Sequence, residues 1–139
     1  MKYNTKQINH LILTDFPKIQ AIYLFGSAAT ESEWFNSEID IALLLLPPQA
    51  AKPIPSLYLH PLHSKLTSYF KNSVDLINLR QVNVVLRKEV IMAERLIYCA
   101  DRYSVDEFEM LTLSFYQKLN EERKAILAYF FRTKKAYNI

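Results

Sequence analysis

A chain of 139 residues with a single glycine has few places where its backbone can enter conformations closed to other residues. That glycine, Gly26, ends the apolar run Ile22-Tyr23-Leu24-Phe25 and is followed by Ser27. The fold is constrained at this point: an apolar strand must give way to a small polar turn. Glycine there also lets a ligand come close to the backbone. Ten residues separate Ser27 from Glu38-Ile39-Asp40. If that segment is a strand, its two carboxylates point to one face.

The rest of the composition narrows the class. Hydrophobic residues make up 50% of the chain and aromatic residues 13%, which excludes a disordered protein. The length suits one domain with its own core, here residues 1–139, with the core about 17–100 and a C-terminal helix about 104–134. Cys99 is the sole cysteine, so there is no internal disulfide and no cysteine-based zinc site; it reads as a buried small hydrophobe in a reducing compartment. The opening Met1-Lys2-Tyr3-Asn4-Thr5-Lys6-Gln7 leads into no signal-peptide core, and the apolar run from Ile41 to Pro48 is too short to span a bilayer. The expectation is a cytoplasmic protein. A net charge of +3 fits a polyphosphate or acidic partner, with no membrane and no direct nucleic-acid contact expected.

Periodicity sets the elements. Ile8, Leu11, Ile12 and Phe16 recur at helical spacing, and Pro17 stops that helix. Residues 19–25 read as a strand, followed by a short helix from Gly26-Ser27 through Glu31. Residues 38–46 read as a second strand, with Glu38, Asp40, Ala42 and Leu44 on one face and Ile39, Ile41, Leu43 and Leu45 on the other. Pro47, Pro48, Pro53 and Pro55 mark an irregular loop. Residues 59–70 form a helix with Leu62, Leu66 and Phe70 on one side. Residues 73–78 form a third strand, with Asp75 on the face of Ser73 and Ile77. Val84 to Arg95 reads as a helix, Leu96-Ile97-Tyr98 as an extended piece, and the last helix starts at a Ser104-Val105-Asp106-Glu107 capping box. The expected fold class is α/β (α+β): a small mixed sheet flanked by helices.

Charge inside apolar runs points to chemistry. Asp40 lies within Ile39-Asp40-Ile41-Ala42-Leu43-Leu44, and Asp75 between Val74 and Leu76. A half-buried carboxylate is costly unless paired or bound to metal. Glu38, Asp40 and Asp75 on one sheet surface would repel one another unless a cation neutralised them. Mg²⁺, which takes oxygen ligands and substrate phosphates, suits them. The free N–H groups of a helix starting at Gly26-Ser27 would hold phosphate oxygens, with the Ser27 hydroxyl as a further donor. A three-acid cluster of this kind suits two-metal phosphoryl or nucleotidyl transfer. His60 and His63 lack a third ligand in sequence, and Tyr129, Phe130 and Phe131 read as a packing or partner surface.

Gly26-Ser27, ten residues and Glu38-Ile39-Asp40 resemble the G-S-x(10)-D-x-D signature of minimal nucleotidyltransferases, in the polymerase-β-like superfamily. Ser37-Glu38-Ile39-Asp40-Ile41-Ala42-Leu43 is similar to the run around its acids, and Val74-Asp75-Leu76-Ile77-Asn78-Leu79-Arg80 to its third-acid segment. Val85 to Val90 and Arg95-Leu96-Ile97-Tyr98 resemble the stretch that follows in the MntA-type branch. The resemblance implies a polymerase-β-like nucleotidyltransferase fold, ATP as substrate and Mg²⁺ as cofactor. It assigns Gly26 and Ser27 to the triphosphate, Glu38 and Asp40 to the metal, and Asp75 to the third carboxylate, which activates an acceptor hydroxyl.

That branch implies an antitoxin that moves AMP from ATP to a tyrosine of a partner HEPN-domain ribonuclease toxin. The brevity of the chain agrees, since residues after 100 offer one helix where larger relatives carry an acceptor-binding domain. The alternatives are a stoichiometric antitoxin and a small-molecule or RNA nucleotidyltransferase. Two departures stand out. Glu38 replaces the family aspartate, which leaves open weak activity, an inactive copy or an altered residue. Glu94 replaces a glycine ahead of Arg95, expected to be harmless.

Overall fold

The computed structural model describes residues 4–26, 38–47 and 60–137, with side chains through residue 133. The expected helix from Ser27 to Glu31, Ser27 itself and most of the proline-rich stretch lie outside the described residues.

The first helix, α1 (Thr5–Asp15), is capped by Asn4, whose side chain accepts from the Lys6 N–H at 3.0 Å. It buries Ile8 and Ile12. Strand β1 (Ala21–Phe25) pairs antiparallel with β2 (Ile39–Leu44), which pairs in parallel with β3 (Val74–Asn78). Helix α2 (Pro61–Phe70) connects those two parallel strands, as a parallel crossover requires. Then follow α3 (Val84–Met92), β4 (Leu96–Cys99), antiparallel to β1, and α4 (Arg102–Tyr137). The sheet order is β3-β2-β1-β4.

The alternation read from residues 38–46 divides the core as expected. Ile39, Ile41, Leu43 and Leu45 pack with Ile8 and Ile12 of α1 and Leu62, Leu66 and Phe70 of α2. Ala42 and Leu44 pack on the other face with Val90 of α3 and Val105 and Phe108 of α4. Helices thus cover both faces, the mixed α/β arrangement that the periodicity predicts.

Three expectations need correction. Helix α3 stops at Met92 rather than Arg95, because Glu94 takes a left-handed conformation (φ +55°) that no helix can continue through. The residue expected to be a harmless replacement therefore occupies a position that glycine would suit better. Helix α4 begins at Arg102, two residues before the expected capping box. Its cap is Asp101, which accepts from the Tyr103 N–H at 3.2 Å and from the Ser104 hydroxyl at 2.7 Å. Asp101 stands one residue ahead of the helix, where an oxygen side chain meets the first free N–H groups. Cys99, read as buried, is only half-buried, packed beside the α3–α4 core.

Candidate active site

Strand direction gathers the acids. Because β2 and β3 run parallel, both start at one rim of the sheet, and antiparallel β1 ends there. Asp40 lies opposite Asp75 in the β2–β3 register and opposite Phe25 in the β1–β2 register, with Gly26 next in chain. Glu38 precedes β2, positioned by the Ile39 N–H, which donates to the Ser73 carbonyl at 2.9 Å. Glu38, Asp40 and Asp75 each bring a carboxylate oxygen within 4.8 Å of the others. Glu38 is exposed; Asp40 and Asp75 are half-buried. The structure brings together the three acids that the sequence singled out.

Gly26 belongs to the same constellation for a reason the sequence did not disclose. Its φ is +62°, in the left-handed region, and a Cβ built there would overlap Oδ2 of Asp40. The absence of a side chain lets the β1 turn close directly over the Asp40 carboxylate. The glycine thus shapes the acid cluster as well as the turn.

The electrostatics follow from this crowding. Burial first, then the carboxylates of Glu38 and Asp75, push Asp40 up to about 6 from an ordinary value of 3.8. Such an acid holds its charge reluctantly until a cation arrives. Three hard oxygen donors this close fit a divalent cation of the Mg²⁺ class. His60 and His63, by contrast, are structural. His60 Nδ1 accepts from the Leu62 N–H at 3.0 Å as the cap of α2, with its ring 4.8 Å from Phe16, and His63 Nε2 is 2.8 Å from the Val74 carbonyl oxygen.

The same sheet face carries a feature absent from the sequence reading. Tyr23, paired with Ala42 on β2 and Leu96 on β4, is almost fully buried and donates its hydroxyl to Glu109 of α4 at 3.0 Å. Burial, followed by the Glu109 carboxylate, pushes the phenol far above its ordinary range. Tyr23 and Glu109 stand 86 positions apart, so no local pattern announces the pair.

A mixed four-stranded sheet with three carboxylates at the rim where one strand ends and two begin defines a nucleotidyltransferase palm. The polymerase beta, nucleotidyltransferase family model matches residues 6–103, and the chain belongs to that family. Within it, the chain is 35% identical over 124 residues to the protein adenylyltransferase MntA of Shewanella oneidensis, a match covering 89% of this chain and 85% of that one. The fold superposes on a chain of a toxin–antitoxin crystal structure with AMP-PNP, with a TM-score of 0.73, 32% identity, and coverage of 93% of this chain and 99% of that one. It also resembles a chain from the complex of tri-AMPylated Shewanella oneidensis HEPN toxin with MNT antitoxin, at a TM-score of 0.66 and 30% identity, covering 91% and 95%. Among the described residues, no helix is long and apolar enough to cross a membrane.

Proposed function

We propose that this chain is a protein adenylyltransferase and antitoxin that moves AMP from ATP to a tyrosine of a HEPN-type ribonuclease toxin. The observation that carries the reading is the convergence of Glu38, Asp40 and Asp75 within 4.8 Å beneath a glycine turn. Likeness to an adenylyltransferase and to antitoxin complexes supports it. The chain acts as a single domain, residues 1–139, in the cytoplasm.

In the reaction, the acceptor hydroxyl oxygen attacks the α-phosphorus of ATP. One O–P bond forms, the bond to the bridging oxygen breaks, and pyrophosphate leaves. Asp75, beside Asp40 on the neighbouring strand, is placed to take the hydroxyl proton. Asp40 and Glu38 would hold Mg²⁺. When bound, Mg²⁺ offsets the charge of the triphosphate and of the departing pyrophosphate. Gly26 brings the backbone of the turn up to the acids, where it and the Ser27 hydroxyl would donate to phosphate oxygens.

Glu38 favours a second reading, a stoichiometric antitoxin that binds ATP but turns over slowly. Glutamate is one methylene longer than aspartate, which displaces its oxygens by about 1 Å or more. Mg²⁺ requires near-ideal octahedral distances, and a shift of about 1 Å can cost roughly 10²-fold in rate. Mass spectrometry of the toxin after incubation with MgATP separates the readings. The adenylyltransferase reading expects AMP addition by this chain and faster addition by Glu38→Asp. Addition by Glu38→Asp alone would leave the natural chain a binding antitoxin. No addition by either would overturn the enzyme.

A further inference from the structure

Helix α4 outruns the sheet that it packs on. It is 36 residues long, yet past Thr112 none of its described side chains is buried. A helix standing so far into water is ordinarily polar on every side. This one leaves Phe115, Ile126, Tyr129 and Phe130 each more than half exposed.

Those residues lie on one stripe. Thr112, Leu119, Ile126 and Thr133 recur every seven residues, the spacing of a helix seam that faces another helix. The aromatic pairs Phe115-Tyr116 and Tyr129-Phe130 fill the intervals between them, and Glu122-Arg123 fills the middle one. The stripe is also its own mirror image. Outward from the point between Glu122 and Arg123, Leu119 matches Ile126, Tyr116 matches Tyr129, Phe115 matches Phe130 and Thr112 matches Thr133. Charge is mirrored with its sign reversed, Glu121 matching Lys124 and Glu122 matching Arg123. All four of these charged residues are exposed, and among the described residues none of them forms an ion pair.

We infer that the outer half of α4 pairs antiparallel with α4 of a second copy of this chain, about a two-fold axis between Glu122 and Arg123. A two-fold interface sets every residue against its own mirror position, so that each contact occurs twice. Here that rule puts aromatic rings against aromatic rings, Leu119 against Ile126, and each glutamate against a cation. A parallel pair would instead set Glu121 and Glu122 against the same glutamates, which repel. An unrelated partner gives the helix no reason to match its own reverse. The apolar stripe supplies the affinity, and the charges fix direction and register. Leu113, Leu127 and Phe131 fall outside the stripe and stay open to another partner. None of the paired residues belongs to the acid cluster, so the inference stands apart from the proposed adenylyl transfer.

Size-exclusion chromatography with light scattering tests it on the full chain and two double variants, Glu121→Lys with Glu122→Lys, and Arg123→Glu with Lys124→Glu. In either variant every charge contact across the axis becomes like against like. The four positions are exposed, so circular dichroism should show both variants folded and as helical as the natural chain. The expected result is twice the chain mass for the natural protein, the single-chain mass for each variant alone, and twice the chain mass again when the two variants are mixed. Recovery on mixing is specific to this register, because the two reversals complement each other. A natural chain that stays single, or that assembles only when a toxin is added, would overturn the inference. So would variants that remain paired, or a mixture of them that does not pair.

Discussion

At Gly26 two constraints exclude a side chain independently: the backbone is left-handed, and the Asp40 carboxylate stands where a Cβ would go. Gly26→Ala should therefore cost about 1–2 kcal/mol for the conformation alone, plus the displacement of Asp40, and denaturant titration will read the sum. Asp40 carries a pH signature of definite sign. Its value in the folded protein, about 6, lies above the ordinary 3.8, so the protonated form favours folding. Its contribution to stability is complete below the unfolded value and is lost as pH rises through about 6. A divalent cation competes with that proton. Added MgCl₂ should raise the melting temperature near pH 7 and have little effect near pH 4. An equal rise at both pH values would place the metal elsewhere. Asp40 and Asp75 were legible in the sequence because a charge inside an apolar run contradicts its surroundings. The contact of Gly26 with Asp40 was not, since it depends on the β1–β2 register.

Among the elements, the strands were the most legible, because the alternation from Ile39 to Leu45 assigns each apolar side chain to a core. Helix ends were less so. The motif beginning at Ser104 satisfies the capping-box pattern, yet Asp101 captures the helix start because its carboxylate reaches both the Tyr103 N–H and the Ser104 hydroxyl. Asp101→Ala should cost about 1 kcal/mol, and Ser104→Ala less, both measurable by thermal denaturation. A larger loss at Ser104 would restore it as the cap. The end of α3 was hidden for the opposite reason. Glutamate is a good helix former, so nothing in its identity announces the left-handed turn at Glu94.

At the scale of the whole molecule, the last helix is half packed and half exposed. After β4 the described residues form one helix, α4, whose first turns bury Val105, Phe108 and Thr112 against the sheet. Farther along, Ile126, Leu127, Tyr129, Phe130 and Phe131 are exposed. The proposed activity takes its acceptor hydroxyl from a partner chain, in keeping with this exposed apolar surface. The Tyr23–Glu109 contact ties the start of this helix to the palm. The palm was readable from local signals, whereas the seating of α4 on it depends on packing between residues far apart in sequence.

The proposed activity is tested by the mass of the proposed toxin partner, co-expressed and purified with this chain or with its Asp40→Asn form and incubated with MgATP. Asparagine keeps the size of the side chain but removes the charge that a cation requires, and it removes the repulsion that crowds the metal-free site. The expected result is AMP on the partner with the natural chain, a loss of at least about 10²-fold in rate with Asp40→Asn, and unchanged co-purification of the two proteins. Equal AMP addition by both forms would contradict it, because Glu38, Asp40 and Asp75 would then not be the catalytic centre.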